Sequence, residues 1–234
     1  MIIYNGITLD SVADVSIEDI RISPITLNPV IRERAINWGA DFVRMRGGNR
    51  TVTVTFAILE NNPVIRNEQL MNITNWAKMD GEYKLELPND PNRYFMAVCT
   101  ARPEPSTRQW WESKLRLVFT CYNPYWISKG EKSVSCGTQF TVVGDAPPIM
   151  RIERTLSSAA SNQTYSNGTQ SMTFTSIPKG DMVIDLNKQT AVVTGTSTTD
   201  IMQYFQPSGS FIVPKTGTQT ISGTGTVKYR ECWQ

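Results

Sequence analysis

Val52, Val54, Phe56 and Ile58 alternate with Thr51, Thr53 and Thr55, so this segment carries one apolar face and one hydroxylated face. That period of two is the signature of a half-buried strand, and β-branched residues suit it. The alternation returns at Leu115–Cys121, where Leu115, Leu117 and Phe119 interleave with Arg116 and Thr120. Shorter runs predict strands at Ile2–Asn5 and Ile7–Leu9 around Gly6, over Val12–Ile22 up to Pro24, and at Tyr83–Leu87 and Tyr94–Thr100. In one place the period changes. Leu70, Ile73 and Ala77 are spaced for one helical face, which Trp76 widens. Asn62-Pro63 supplies an N-cap followed by a proline at the first helical position, and Asp80-Gly81 is the expected stop. Strands, one helix, then strands, without a βαβ alternation, predict an α+β domain or a β domain with one packed helix.

Asn123-Pro124 ends the Leu115–Cys121 run, because proline has no N–H for a ladder. Pro124, Tyr125 and Trp126 then form the expected domain junction, with two large amphipathic rings to wedge it. Five of the six tryptophans and 31 of the 44 charged residues precede position 133, and Ser, Thr and Gly dominate afterwards. This shift predicts domains at 1–132 and 133–234, with Ile127–Gly137 compatible with either. The second half shows short β-runs at sandwich spacing: Gln139–Val143, Ile149–Glu153, Met172–Ile177, Met182–Leu186, Ala191–Thr194, Ser210–Val213, Thr218–Ser222 and Thr226–Arg230. Asn187-Lys188 reads as a tight hairpin turn, and polar Ser157–Gly168 as a long loop. The chain as a whole is expected to be mainly β.

The chemistry the chain carries is sparse. It has no histidine, so Ser-His, Cys-His and His-metal arrangements are excluded. Cys99, Cys121, Cys136 and Cys232 are too widely spaced for a zinc pair and read as free thiols, so neither a metal nor a cofactor is expected. No phosphate-loop or nucleophile-elbow motif is present, and the G-x-G at Gly223 and Gly225 precedes no helix. Asp181 and Asp185 can share the outer face of a strand, the one arrangement open to carboxylate chemistry, although such residues also decorate solvated strands and turns. Tyr165, in the polar loop, is the one exposed aromatic platform expected for a saccharide, and Phe174, Phe211 and Tyr229 read as core. A net charge of +2 gives no footprint for nucleic acid. The start has no secretory pattern and no stretch reaches membrane-spanning length, so a soluble chain made in the cytoplasm is expected. Arg32, Arg34, Arg44, Arg46 and Arg50 surround Gly47-Gly48 between two strand regions, offset by Glu33 and Asp41 alone. They fit either an extended hairpin arm that meets a partner or a solvated loop.

Together these features resemble the distal tail protein (Dit) family of long-tailed phages. The resemblance runs from IIYNGITLD through TVTVTFAI and NWAKMDGEYKLELPNDPNRYFMAVC to LRLVFTCYNPYW. It continues in VVGDAPPIMRIE, IPKGDMVIDLNKQTAVVTG and TQTISGTGTVKYRECW. It implies an N-terminal barrel- or sandwich-like belt domain with one helix, followed by a galectin-like β-sandwich. It further implies a non-enzymatic virion protein, assembled as a hexameric ring between the tail tube protein and the tail-associated tip or hub protein. In some phages such a ring also carries receptor-binding proteins, and the lumen passes the tape-measure protein and DNA. On this resemblance the arginine arm would bridge neighbouring subunits or the ring above. A baseplate module that binds host saccharide is the alternative.

Overall fold

The computed structural model describes residues 1–33, 40–58, 60, 62–77, 80–105 and 113–234, with backbone alone for 27–33, 40–46, 102–105 and 113. The chain divides into two compact units, Met1–Trp126 and Ile127–Gln234. Residues 127–132 thus belong with the second unit.

In the first unit β1 is Ile3–Tyr4, β2 Ile7–Thr8, β3 Val15–Ile22, β4 Leu27–Glu33 and β5 Ala40–Gly47. β6 is Arg50–Ile58, α1 Pro63–Trp76, β7 Tyr83–Glu86, β8 Arg93–Pro105 and β9 Ser113–Cys121. One antiparallel sheet runs β3-β6-β9-β8-β7-β1-β2, and β4 and β5 form a separate hairpin. The sheet is open, with no closed barrel among the described residues. Its centre is the β6–β9 ladder, which pairs Val52 with Phe119, Val54 with Leu117 and Phe56 with Leu115, all buried. The threonines between them are half-exposed, as the alternation predicts.

The aromatic core gathers on Tyr4. Its ring lies 5.1 Å from Phe119, 5.6 Å from Tyr83 and 5.7 Å from Trp76. Its hydroxyl donates to Ala97 O and accepts from Cys99 N, both at 3.3 Å, and burial pushes its pKa up to about 12. The predicted cap holds: Asn62 Oδ1 accepts from Val64 N at 3.0 Å, with Pro63 in the first turn. Ile73 and Trp76 face the core, and Trp76 Nε1 donates to Ile7 O at 2.9 Å. The helix stops sooner than expected, at Trp76, with Ala77 as its C-cap. Gly81 is not left-handed, so it is not the helix stop, and Asp80 instead accepts from the Tyr83 hydroxyl.

β10, Trp126–Ser128, lies across the boundary of the units. The second unit holds β11 Lys132–Ser135, β12 Gln139–Val142, β13 Ala146–Leu156, β14 Ala160–Ser166 and β15 Ser171–Ile177. β16 Gly180–Asp185, β17 Thr190–Thr194, β18 Thr198–Asp200, β19 Gly217–Thr220 and β20 Thr226–Trp233 follow. One antiparallel sheet runs β18-β17-β16-β13-β20-β11, and β14–β15 and β12–β19 pair separately. Met150, Ile152, Ile184, Val193 and Val227 from the sheet share one core with Phe140, Tyr165, Met172 and Phe174 from the two pairs. This is the layered β architecture that the short runs predict.

Three expectations fail here. Ser157–Gly168 is not a loop: β14 spans most of it and pairs with β15 at six of its seven positions. Its Ser161, Asn162 and Thr164 are exposed, which hid a strand whose buried position is Tyr165. Ser210–Val213 is not a strand; Ile212 is buried there and the backbone bonds to Ser171 and Gln170. The turn after β16 is longer than Asn187-Lys188 alone: Asp185 pairs with Thr190, and Gln189 takes the left-handed conformation.

Across the outer face of the second sheet, Arg151 holds Glu131 by two bonds of 2.7 and 2.9 Å and donates through Nε to Glu153 at 2.6 Å. Lys228 closes on the other Glu153 oxygen at 2.7 Å. These partners hold the Glu153 carboxyl below its ordinary pKa, Lys228 foremost and then Arg151.

Two measurements test this fold. Tyr165 is 1% exposed and donates to Thr224 O at 3.0 Å, so Tyr165→Ala should cost the second unit roughly 3–5 kcal/mol in urea unfolding. The Glu153 pKa is lower folded than unfolded, so its stabilisation is complete above the unfolded value of about 4.3 and is lost as pH falls through the folded one. Glu153→Gln should therefore lower the urea midpoint at pH 7 and shrink its decline under acid titration.

Candidate assembly interface

The arginines expected in one arm separate into two groups. The β4–β5 hairpin exists, and its register sets Arg32 opposite Asp41, Arg44 opposite Val30 and Arg46 opposite Asn28. Arg34 lies outside the described residues. Arg50 is not in the hairpin. It is the first residue of β6, in register with Cys121, and is 8% exposed.

The reason is parity. Arg50 shares its face with Val52, Val54 and Phe56, so the alternation that buries those residues buries Arg50 as well. Its guanidinium lies 5.8 Å from the Phe95 ring centroid, a cation–π arrangement. Phe95 in turn lies 4.0 Å from the Trp126 ring at an angle of 32°. Burial pulls the Arg50 pKa down, while Cys121 and Tyr125 push the other way. Among the described residues Arg50 Nε has no hydrogen-bond acceptor.

The junction residues meet this arginine. Asn123 Oδ1 accepts from Tyr125 N at 3.3 Å, folding the chain back after β9 and burying Pro124. Tyr125 and Trp126 are half-buried. The structure thus gathers Arg50, Tyr125 and Trp126, three residues chosen from sequence for different reasons. Phe95, the ring between Arg50 and Trp126, was not singled out. Cys121, beside them, is buried, and its thiol is pushed up to about 12 by desolvation.

The chemistry weighed for the second unit fails on geometry. Asp181 and Asp185 stand four positions apart on β16, roughly 13 Å at ~3.3 Å per residue. A glycosidase pair needs about 5–9.5 Å. Asp181 accepts from Thr155 Oγ1 at 2.6 Å, and Asp185 accepts from Asn187 N and Lys188 N in the hairpin turn. Tyr165, the expected saccharide platform, is buried, because β14 turns it into the core. The nearby surface groove, lined by Ser133, Glu153, Arg154, Thr155, Thr224 and Lys228, has no aromatic wall. Among the described residues no group of three or more His, Cys, Asp or Glu side chains could hold a metal ion, and no helix is long and apolar enough to cross a membrane.

No protein-family profile matches the sequence, and no curated protein is similar to it. The fold does resemble solved structures. It superposes on the Dit protein of phage SPP1, a paradigm of the hub adsorption apparatus in phages that infect Gram-positive bacteria, with a TM-score of 0.74 at 16% identity. That match covers 100% of this chain and 98% of the SPP1 protein. A chain of the activated phage P2 baseplate with Ca superposes at a TM-score of 0.49 and 8% identity, covering 94% of this chain and 91% of that one. The corresponding baseplate with Sr gives 0.49 and 10%, with the same coverage. Over its whole length, then, the chain shares the fold of a phage distal tail hub protein.

Proposed function

We propose that the chain is a structural distal tail protein, a hub component that joins a phage tail tube to its tip or baseplate. The observation that carries this reading is the whole-length likeness to SPP1 Dit, which takes in both units and not one common β module. In this reading the first unit assembles into a closed, hexameric ring through heterologous contacts, one surface of each copy meeting a different surface of the next. Two features support it. β3 ends its sheet and has one edge unpaired among the described strands, a surface that proteins normally cover. The β4–β5 hairpin pairs apart from that sheet, with Arg32, Arg44 and Arg46 along it, and suits an arm that bridges copies or reaches the ring above.

The near-neutral balance, 23 basic against 21 acidic residues, suits a lumen that must let DNA pass without holding it. The second unit, galectin-like in this reading, would lie outside the ring and carry a receptor-binding protein. The tail tube, the tip or hub protein and the other copies are the partners, and the assembled virion is the site of action. No catalytic role is proposed. Saccharide recognition by the second unit loses its basis with Tyr165 buried.

Light scattering coupled to size exclusion, with negative-stain imaging of the peak, tests the ring. The expected result is a closed annulus with a central hole. A chain that stays monomeric at high concentration and in the presence of its tube protein rejects the reading. Arg44→Glu with Arg46→Glu should raise the concentration needed for assembly while leaving the urea midpoint unchanged.

A further inference from the structure

Arg50 is an unusual residue to bury. A guanidinium never sheds its charge in practice, and a buried charge is tolerated when it is paired or hydrogen-bonded. Here the Nε has no acceptor among the described residues, and the groups that act electrostatically on Arg50 are Cys121 and Tyr125, neither of them a carboxylate. Glu82, the carboxylate that acts on neighbouring Cys121, has an exposed side chain. The Phe95 face supports the cation from one side without supplying an acceptor. Burial lowers the Arg50 pKa, the direction expected of a cation short of counter-charge.

The Tyr125 hydroxyl offers a second donor, beside an open backbone position. Gly47, three residues before Arg50, is exposed, and a Cβ built on it would meet only the Tyr125 hydroxyl, 3.9 Å away. That hydroxyl has no hydrogen-bond partner among the described residues, although Tyr125 is held in place through its backbone by Asn123. The guanidinium over the Phe95 ring and the Tyr125 phenol that acts on it electrostatically are two donors suited to one flat anionic group. A carboxylate suits them best, since the arginine fork matches its two oxygens and such bonds are strong where water is excluded.

We propose that Arg50 and Tyr125 receive the carboxylate of an Asp or Glu side chain from a neighbouring copy of this chain. The inference rests on the ring reading above, in which a heterologous contact lets one copy's surface group meet these donors on the next. In this arrangement the separate chain carries a buried cation with no carboxylate partner among its described residues, and assembly supplies one. The contact is then part of what drives the ring to close.

The test uses the full chain and four forms: wild type, Arg50→Met, Arg50→Lys and Tyr125→Phe. Two quantities are read for each, the concentration at half-assembly by light scattering and the urea midpoint of the first unit. Arg50→Met should raise the assembly concentration about tenfold or more, with the urea midpoint unchanged or higher, because the unpaired charge is gone. Arg50→Lys, which keeps the charge and loses the fork, should fall between wild type and Arg50→Met, and Tyr125→Phe should show a smaller loss. Rings from Arg50→Met at the wild-type concentration overturn this inference and leave the ring reading standing. A urea midpoint that falls in step with assembly also overturns it, by showing that Arg50 serves the chain's own packing. A wild-type chain that never assembles rejects the ring reading and this inference with it.

Discussion

The antiparallel ladder between β6 and β9 is the constraint on which the first unit depends. Nine residues of β6 pair with nine of β9 without a shift, from Arg50 with Cys121 to Ile58 with Ser113. A slip of one residue would turn Val52, Val54 and Phe56 to solvent and carry Thr51, Thr53 and Thr55 into the core. The register is therefore fixed by what each face can tolerate. Tyr4 and Trp76 pack on Phe119, and Tyr83 on Tyr4, only because that register points Phe119 inward. The same parity takes Arg50 inside as a passenger, so the charge at the head of the strand follows from the hydrophobic pattern that makes the strand.

This explains which parts of the fold were legible in the residues. The β6–β9 pair and the start of α1 could be read because apolar period and capping chemistry agree there: Asn62 and Pro63 do locally what the helix requires. β14 could not be read, since its one fully buried position is Tyr165, Ala160 is its only other apolar residue and the five remaining positions are polar. The Ser210–Val213 segment misled in the opposite sense. Phe211 and Ile212 pack on the core without a ladder, while Val213 is exposed, and the backbone is satisfied by Ser171 and the Gln170 side chain. The stop of α1 was displaced because a glycine following an aspartate is permitted a left-handed conformation but not compelled to take it.

For the candidate site, chain order concealed what parity would have shown. Counting charges near Gly47-Gly48 grouped five arginines, yet Arg50 has the index parity of Val52 and the hairpin arginines lie beyond the glycine pair. Tyr125 and Trp126 were chosen as a junction from the Asn123-Pro124 stop, and their connection to Arg50 runs through Phe95, 45 residues further along the chain from the arginine and invisible to any local pattern. The second unit shows the converse. Its charges are conspicuous in sequence but mostly answered within the unit, by Glu131, Arg151, Glu153 and Lys228 on the sheet and by turns at Asp185 and Asp200.

The place of β20 in the second unit bears on the order in which the molecule is made. β20 sits between β13 and β11, and its Glu231, 6% exposed, accepts from Lys132 across 99 positions of sequence. The sheet therefore lacks an inner strand until Thr226–Trp233 has emerged from the ribosome, and β13 and β11 wait with open edges. The first unit has every strand in hand by Trp126. Synthesis thus delivers a finished first unit tethered to an unfinished second one for about a hundred residues of translation, roughly 5–20 seconds at bacterial rates. During that interval, folding of the second unit is governed by chain length and not by its own stability.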